Sequence, residues 1–216
     1  MKVTHFGHAC VLVDLVTDAG PRRVLFDPGT YSRDFERVSG IDIVLVTHAH
    51  PDHLDVDRLG GVLDANPSAA VVHGAGAVSA LADYGDRARL VRPGEAVRVN
   101  DVEVRVTGGE HACVHADLPA SDNNGYLLGG AVFHPGDAFD SPPAPVDVLL
   151  IPAAGPWMKI ADGIDYLRAV APRIAIPIHQ AGLAEVHQRM HHRLLTELAP
   201  PATTVRVLEH AVPQSF

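Results

Sequence analysis

Residues 42–47 contain Ile43-Val44-Leu45-Val46, a run with no polar side chain on either face, and Thr47-His48-Ala49-His50-Pro51-Asp52-His53-Leu54 follows at once. A strand without polar alternation is buried on both sides, so it belongs inside a sheet covered above and below. Its end then carries His48, His50, Asp52 and His53 to one rim of that sheet. All four are donors that ligate divalent metals. In an extended chain His48 and His50 lie two apart and face the same side, so one ion can take both imidazoles. Pro51 turns the chain, which lets Asp52 and His53 point to a second ion. A solvated polar loop is the competing reading, and the position of the cluster directly after a buried strand weighs against it.

The flanking sequence decides how that sheet is covered. Residues 9–16, 23–27 and 42–47 read as strands, with Gly20-Pro21 at a hairpin between the first two. Val56, Leu59, Val62 and Leu63 give residues 54–63 a helical period that ends before Asn66-Pro67. A strand over 70–73 and a second helix over 75–84 complete the first part. The pattern then restarts, with strands at 90–91, 96–99, 102–107, 124–128, 132–134 and 148–152. A helix over 164–170, a strand over 174–179 and the longest helix, 183–198, follow. Hairpins open each half and mixed strand and helix close it. Two sheets packed face to face with helices outside, a four-layer αββα sandwich of the α/β class, satisfy this order better than a doubly wound sheet. No linker separates the parts, so residues 1–216 are expected to form a single domain of two similar halves, about 1–88 and 89–216.

Composition narrows the function classes. With 47% hydrophobic and 20% charged residues, the 216-residue chain is globular rather than disordered. Seventeen Lys and Arg against 26 Asp and Glu leave a net charge of −9, which argues against holding nucleic acid by bulk charge. Two cysteines cannot build a disulfide scaffold and fit a reducing compartment. Residues 1–8 show no signal-peptide pattern, and the longest apolar-rich stretch, 69–82, falls short of the roughly 18 residues that span a bilayer. A cytoplasmic protein without a membrane partner is the expectation. The outlying figure is 14 histidines, since imidazole is the commonest metal ligand.

With its H-x-H-x-D-H motif at His48 to His53, the chain resembles the metallo-β-lactamase superfamily. The likeness extends to Asp27 in Phe26-Asp27-Pro28-Gly29, His111 in Gly109-Glu110-His111-Ala112, Asp137 in Pro135-Gly136-Asp137-Ala138, and His179 in Pro177-Ile178-His179. Gly7-His8-Ala9, the compact length and Pro156-Trp157-Met158 look like the small hydrolase branch that includes ascorbate-phosphate lactonase. The resemblance implies one metal held by His48, His50 and His111, a second held by Asp52, His53 and His179, and Asp137 bridging them. It makes Asp27 structural. It further implies two divalent ions, zinc ahead of manganese or iron, with a bridging water whose pKa falls towards 7. The hydroxide so formed would cleave a small ester, lactone or phosphodiester, and Asp52 would also orient it as a catalytic group. His115 is the candidate acid for the leaving group, and equally an alternative to His111 as the third ligand of the first site.

Other residues are weighed against plainer roles. His8 is read either as a neighbour of the centre or as a hydrogen-bonded core histidine. His187 and His191 have the i, i+4 spacing of a metal pair, but no third donor accompanies them or His192, and a polar helix face suffices. His5, His73, His134 and His210 are left structural. Cys10 is read as a buried thiol and Cys113 as an accessible one. Trp157 is read as a pocket wall, and Lys159, Arg33 and Arg37 as possible contacts for an anionic small-molecule substrate. A nuclease of this fold would carry a further nucleic-acid-binding module, and an iron oxidoreductase a flavin domain or a loss of second-site ligands. Association into a homo-oligomer is left open. Two bound dications would change −9 to −5 and gather positive potential at one cleft.

Overall fold

The computed structural model describes residues 1–216, which form two seven-stranded sheets packed face to face. The first holds β1 (Lys2–His5), β2 (Val11–Thr17), β3 (Gly20–Phe26), β4 (Ile43–Val46), β5 (Ala70–His73) and β6 (Ala88–Leu90), and takes back β14 (Gln214–Ser215) beside β1. The second holds β7 (Ala96–Val99), β8 (Val102–Gly108), β9 (Asn124–Leu128), β10 (Val132–His134), β11 (Val148–Pro152), β12 (Ile174–Ile178) and β13 (Thr204–Val205). Each sheet begins antiparallel, β1 to β3 and β7 to β10, and continues parallel through β4 to β6 and β11 to β13.

Three apolar clusters separate four layers. Ile43 and Leu45 point between the sheets into a cluster with Val104, Tyr126, Leu150 and Ile176. Val44 and Val46, on the opposite face of the same strand, pack with Leu59, Val62 and Leu63 of α1 (Val56–Ala65). Leu149 and Ile151 do the same in the second sheet with Ile164 and Leu167 of α2 (Ile160–Val170) and Leu195 of α3 (Glu185–Leu198). The uninterrupted apolar run of β4 thus has a partner layer on each face, as expected of the αββα sandwich. No helix is long and apolar enough to cross a membrane.

The helix expected over 75–84 is absent; Ala75–Ala77 and Ala82–Arg87 form separate 3-10 turns. Gly76 donates its N–H to Asp122, and Gly85 adopts φ 52, ψ −130, so the helical hydrogen-bond ladder is interrupted twice. The strand expected from residue 9 starts at Val11, because Phe6 and Cys10 close a tight turn through Phe6 N–H to Cys10 O (2.9 Å) and Cys10 N–H to Gly7 O (3.0 Å). Helix α2 starts four residues early, where Asp162 accepts the Lys159 N–H (2.7 Å) and caps the first turn. β1, β13 and β14 were not expected. They are strands of two to four residues, too short to show a period; β13 and β14 are sheet edges, and β1 lies between β14 and β2.

Candidate metal centre

The C-terminal ends of parallel strands share one rim, and the functional side chains stand there. β4 ends at Val46, and residues 48–54 fold into one turn in which His50 O accepts from both His53 N–H and Leu54 N–H (2.9 Å each). That turn lies so close to the loop after β3 that a Cβ on Gly29 would sit 1.8 Å from Asp52 O. β10 leads to Asp137 through Gly136, whose φ of +65° and approach to Asn123 leave no space for a side chain. Asn123 Oδ1 then accepts the Asp137 N–H (3.0 Å). β12 delivers His179, and β8 leads to His111.

Eight residues converge, His8 from the turn after β1 and seven from these loops. Ligand atoms of His48, His50 and His111 lie within 4.8 Å of one another, as do those of His48, His53 and Asp137, and those of His8, Asp52, His53 and His179. Asp137 stands in the middle: Oδ1 is 3.1 Å from His53 Nε2, and Oδ2 is 3.0 Å from His179 Nε2 and 3.4 Å from His111 Nε2. Its carboxylate reaches both sets of imidazoles.

Hydrogen bonds set the direction of each ring. His53 Nδ1 donates to Asp27 Oδ2 (2.7 Å), His111 Nδ1 to Ala112 O (2.6 Å), and His179 Nδ1 to Ala154 O (2.6 Å). Thr47 Oγ1 donates to Asp27 Oδ2 (2.7 Å) and so receives His48 Nδ1 (3.0 Å). With Nδ1 occupied in all four, the Nε2 lone pairs face inward. His53 Nε2, His179 Nε2 and Asp137 Oδ1 are buried without a hydrogen-bond partner. Buried polar atoms are rarely left so, and three together on ligand atoms fit a metal centre.

His8 differs. Its Nε2 donates to Asp52 Oδ2 (3.0 Å) while Nδ1 receives the Ala181 N–H (3.4 Å), so it holds Asp52 and has no inward lone pair. His8 and His179 both have positive φ (48° and 61°), their rings are 3.9 Å apart, and His179 N–H donates to His8 O (2.9 Å). Strained backbone of this kind persists where surrounding structure over-determines it.

Charges follow from these contacts. Burial, with the neighbouring His53, pushes His48 well below the usual histidine range; burial likewise takes His8 down to about 4 against the pull of Asp52. Burial raises Asp52, but the His8 hydrogen bond and the His53 charge outweigh it and hold the carboxyl at about 2. In Asp137 burial is outweighed in the same way by His53, His111 and His179, and its carboxyl falls well below the usual range. His48 is thus neutral beside ionised carboxylates. At His53 burial is outweighed by the charges of Asp137 and Asp27, which raise the imidazole well above the usual range, and at His111 burial is outweighed likewise by the Asp137 hydrogen bond; those are the protons a divalent cation would displace.

The structure brings His111, not His115, to His48 and His50. His115 is 66% exposed on the adjoining loop, where its Nδ1 receives the Asp117 N–H (3.1 Å). Trp157 is more than a wall, since its Nε1 donates to Asp137 Oδ2 (2.8 Å). Asp27 is fully buried and positions His53 directly. Five histidines outside the centre have partners of their own: His5 donates to His8 O, His134 to Ala9 O, His73 to Gly74 O, His191 to Ala153 O, and His210 pairs with Asp34, whereas His192 Nε2 is buried without one. Cys10 is buried, which raises its thiol, and Cys113 is exposed. Lys159 and Arg37 are exposed, and Arg33 lines a cavity beside His8.

The profile described as Beta-lactamase superfamily domain matches residues 2–179. This chain belongs to the beta-lactamase superfamily. Among relatives, Protein Rv0786c of Mycobacterium tuberculosis is 42% identical over 98% of this chain and 99% of its own length. The protein of Thermoplasma acidophilum named UPF0173 metal-dependent hydrolase Ta0764 is 26% identical over 83% of each chain. Igni18, described as a metallo hydrolase from Ignicoccus hospitalis, superposes with a TM-score of 0.73 at 21% identity, over 100% of this chain and 98% of its own. At that identity the likeness speaks for the fold. The two mixed sheets and their flanking helices are those of the superfamily.

Proposed function

We propose that this member of the superfamily is a metal-dependent hydrolase with a dinuclear centre, acting on a small ester, lactone or phosphodiester. The observation that carries the reading is the set of Nε2 atoms of His48, His53, His111 and His179 turned inward around a doubly shared Asp137, with His53 Nε2, His179 Nε2 and Asp137 Oδ1 itself buried and unpartnered. The name of the Thermoplasma relative supports the same class. His48, His50 and His111 would hold one ion and Asp52, His53 and His179 the other, with Asp137 between them. Five imidazoles and two carboxylates suit zinc, with manganese or iron as alternatives. When bound, such ions acidify water and polarise a carbonyl or phosphoryl oxygen.

The chain's own groups supply the rest. His8 restrains Asp52 through Oδ2, which leaves Oδ1 to accept a hydrogen bond from the attacking water. Asp27 and the carbonyls of Ala112 and Ala154 lock the imidazole tautomers, and Trp157 fixes the Asp137 carboxylate. His115, on the loop after His111, would serve as the acid for the leaving group only as an imidazolium, giving up the contact in which its Nδ1 accepts from Asp117.

A panel of esters, lactones and phosphodiesters should be hydrolysed by the zinc-loaded protein, and Asp52→Ala or His53→Ala should lower turnover at least about 100-fold. Retention of activity in both variants would overturn the two-metal assignment, and a single iron with oxygen uptake would overturn the hydrolytic one. His115→Ala should lower turnover with metal content intact; loss of a metal would make it a ligand.

A further inference from the structure

The row of rings in the centre runs from His8 through His53 and His48 to His50 and His111, with neighbouring centroids 5.8, 4.0 and 4.6 to 5.0 Å apart. A cavity opens at each end. At the His8 end, about 490 Å³ is lined by Tyr31, Arg33, Gln180 and His210. That lining is polar: Arg33 has no ion-pair partner, and Gln180 Oε1 is buried and unpartnered. At the other end, about 420 Å³ runs from His50 and His111 along the loop that follows β8. Val114, Leu118, Pro119 and Ala120 line it, with Ala112 and Cys113, and neither Lys nor Arg is present. Val114 is 42% and Leu118 57% exposed, so neither is spent on the core.

The geometry points to an acyl-chain subsite: the 110–121 loop binds the apolar acyl group of a carboxylic ester, placing its carbonyl carbon at the His50 and His111 end of the centre. This rests on the hydrolase reading and names the substrate class within it. The lining favours an uncharged chain, because it holds the carboxylate of Glu110 and neither Lys nor Arg, and its imidazoles are those of His50, His111 and His115. The contrast between the cavities seats the apolar acid half over His111, away from the polar lining around Arg33. In the reaction, water adds its oxygen to the acyl carbon, the bond from that carbon to the alcohol oxygen breaks, and a water proton ends on the released alcohol.

The test follows binding and turnover in parallel. Trp157 is the only tryptophan, and its ring is 6.1 Å from that of His111, so its fluorescence reports occupancy of this end. Acetamide, butanamide and octanamide, neutral and with the acyl carbonyl retained, are titrated into the metal-free protein, so that only the chain length changes. Each buried methylene tightens binding about four-fold, so Kd should fall at least about ten-fold from butanamide to octanamide. The octanoate-to-acetate ratio of kcat/KM for p-nitrophenyl esters on the zinc-loaded protein should rise in step. Leu118→Asp, with Val114→Ser as a milder second variant and thermal melting as the folding check, should flatten both series. A flat binding series in the wild type, or a slope that survives both variants, overturns the subsite. A steep binding series with no ester turned over supports the subsite and overturns the hydrolase reading, whereas ester turnover without length dependence does the reverse.

Discussion

Asp27 shows how one side chain organises several others. Its Oδ1 receives the Thr47 N–H (2.8 Å), and its Oδ2 receives both the Thr47 hydroxyl and His53 Nδ1 (2.7 Å each). Through Thr47 it also sets His48. Asp27→Asn keeps the shape but offers one carboxamide oxygen and a donor where two acceptors stood, so His53 loses its fixed tautomer. Zinc affinity measured by chelator competition should weaken about 10–100-fold, as for other partners of metal-bound histidine; unchanged affinity would show that Asp27 serves the fold alone. The H-x-H-x-D-H motif was readable because its donors are adjacent and each is a metal ligand. The roles of His8 and Trp157 were not, because each is defined by a carboxylate far away in the chain: Asp52 is 44 residues from His8, and Asp137 is 20 from Trp157.

At the scale of elements, α1 begins where Asp55 accepts the Arg58 N–H (3.1 Å), and the Arg58 guanidinium also bonds Asp55, Glu36, Ser32 O and Gly29 O. The helix start is thereby tied to the loop that backs the Asp52 turn. Asp55→Ala should cost about 1 kcal/mol in denaturant unfolding. Burial raises the Asp55 carboxyl, but the Arg58 hydrogen bonds outweigh it and the pKa is lowered. Its contribution is therefore complete above the ordinary aspartate range and lost as pH falls through the lowered value. The difference between wild type and Asp55→Ala should shrink in acid; a constant difference down to about pH 2 would contradict the account. The longer strands and α1 were legible from their apolar period and, for α1, from the stop at Asn66-Pro67. The failed helix over 75–84 was not, since Asp122, which breaks it, lies 46 residues on from Gly76.

For the whole molecule, the two sheets must stay in register for their rims to meet. Tyr126 of the second sheet donates its hydroxyl to Val46 O (2.9 Å), and Asn124 N–H donates to Thr47 O (2.8 Å), both at the end of β4. Leu45 sits between the sheets in the largest apolar cluster. Leu45→Ala should cost about 2–5 kcal/mol in unfolding free energy, and zinc should restore part of the melting temperature by binding the folded state alone. A fully stable variant would place the core elsewhere. The sequence order of strands and helices conveyed the layers because each layer is a local period. It could not convey that β14 returns to the first sheet, a pairing between the two ends of the chain.

Metal content tests the central claim most directly. Protein purified in zinc and desalted should hold about two equivalents per chain at neutral pH, falling below about pH 6 as the ligand histidines take protons. Asp137→Ala, which removes the carboxylate shared by both sets of imidazoles, should hold at most one. Two equivalents in that variant, or fewer than one in the wild type, would contradict a dinuclear centre built around Asp137.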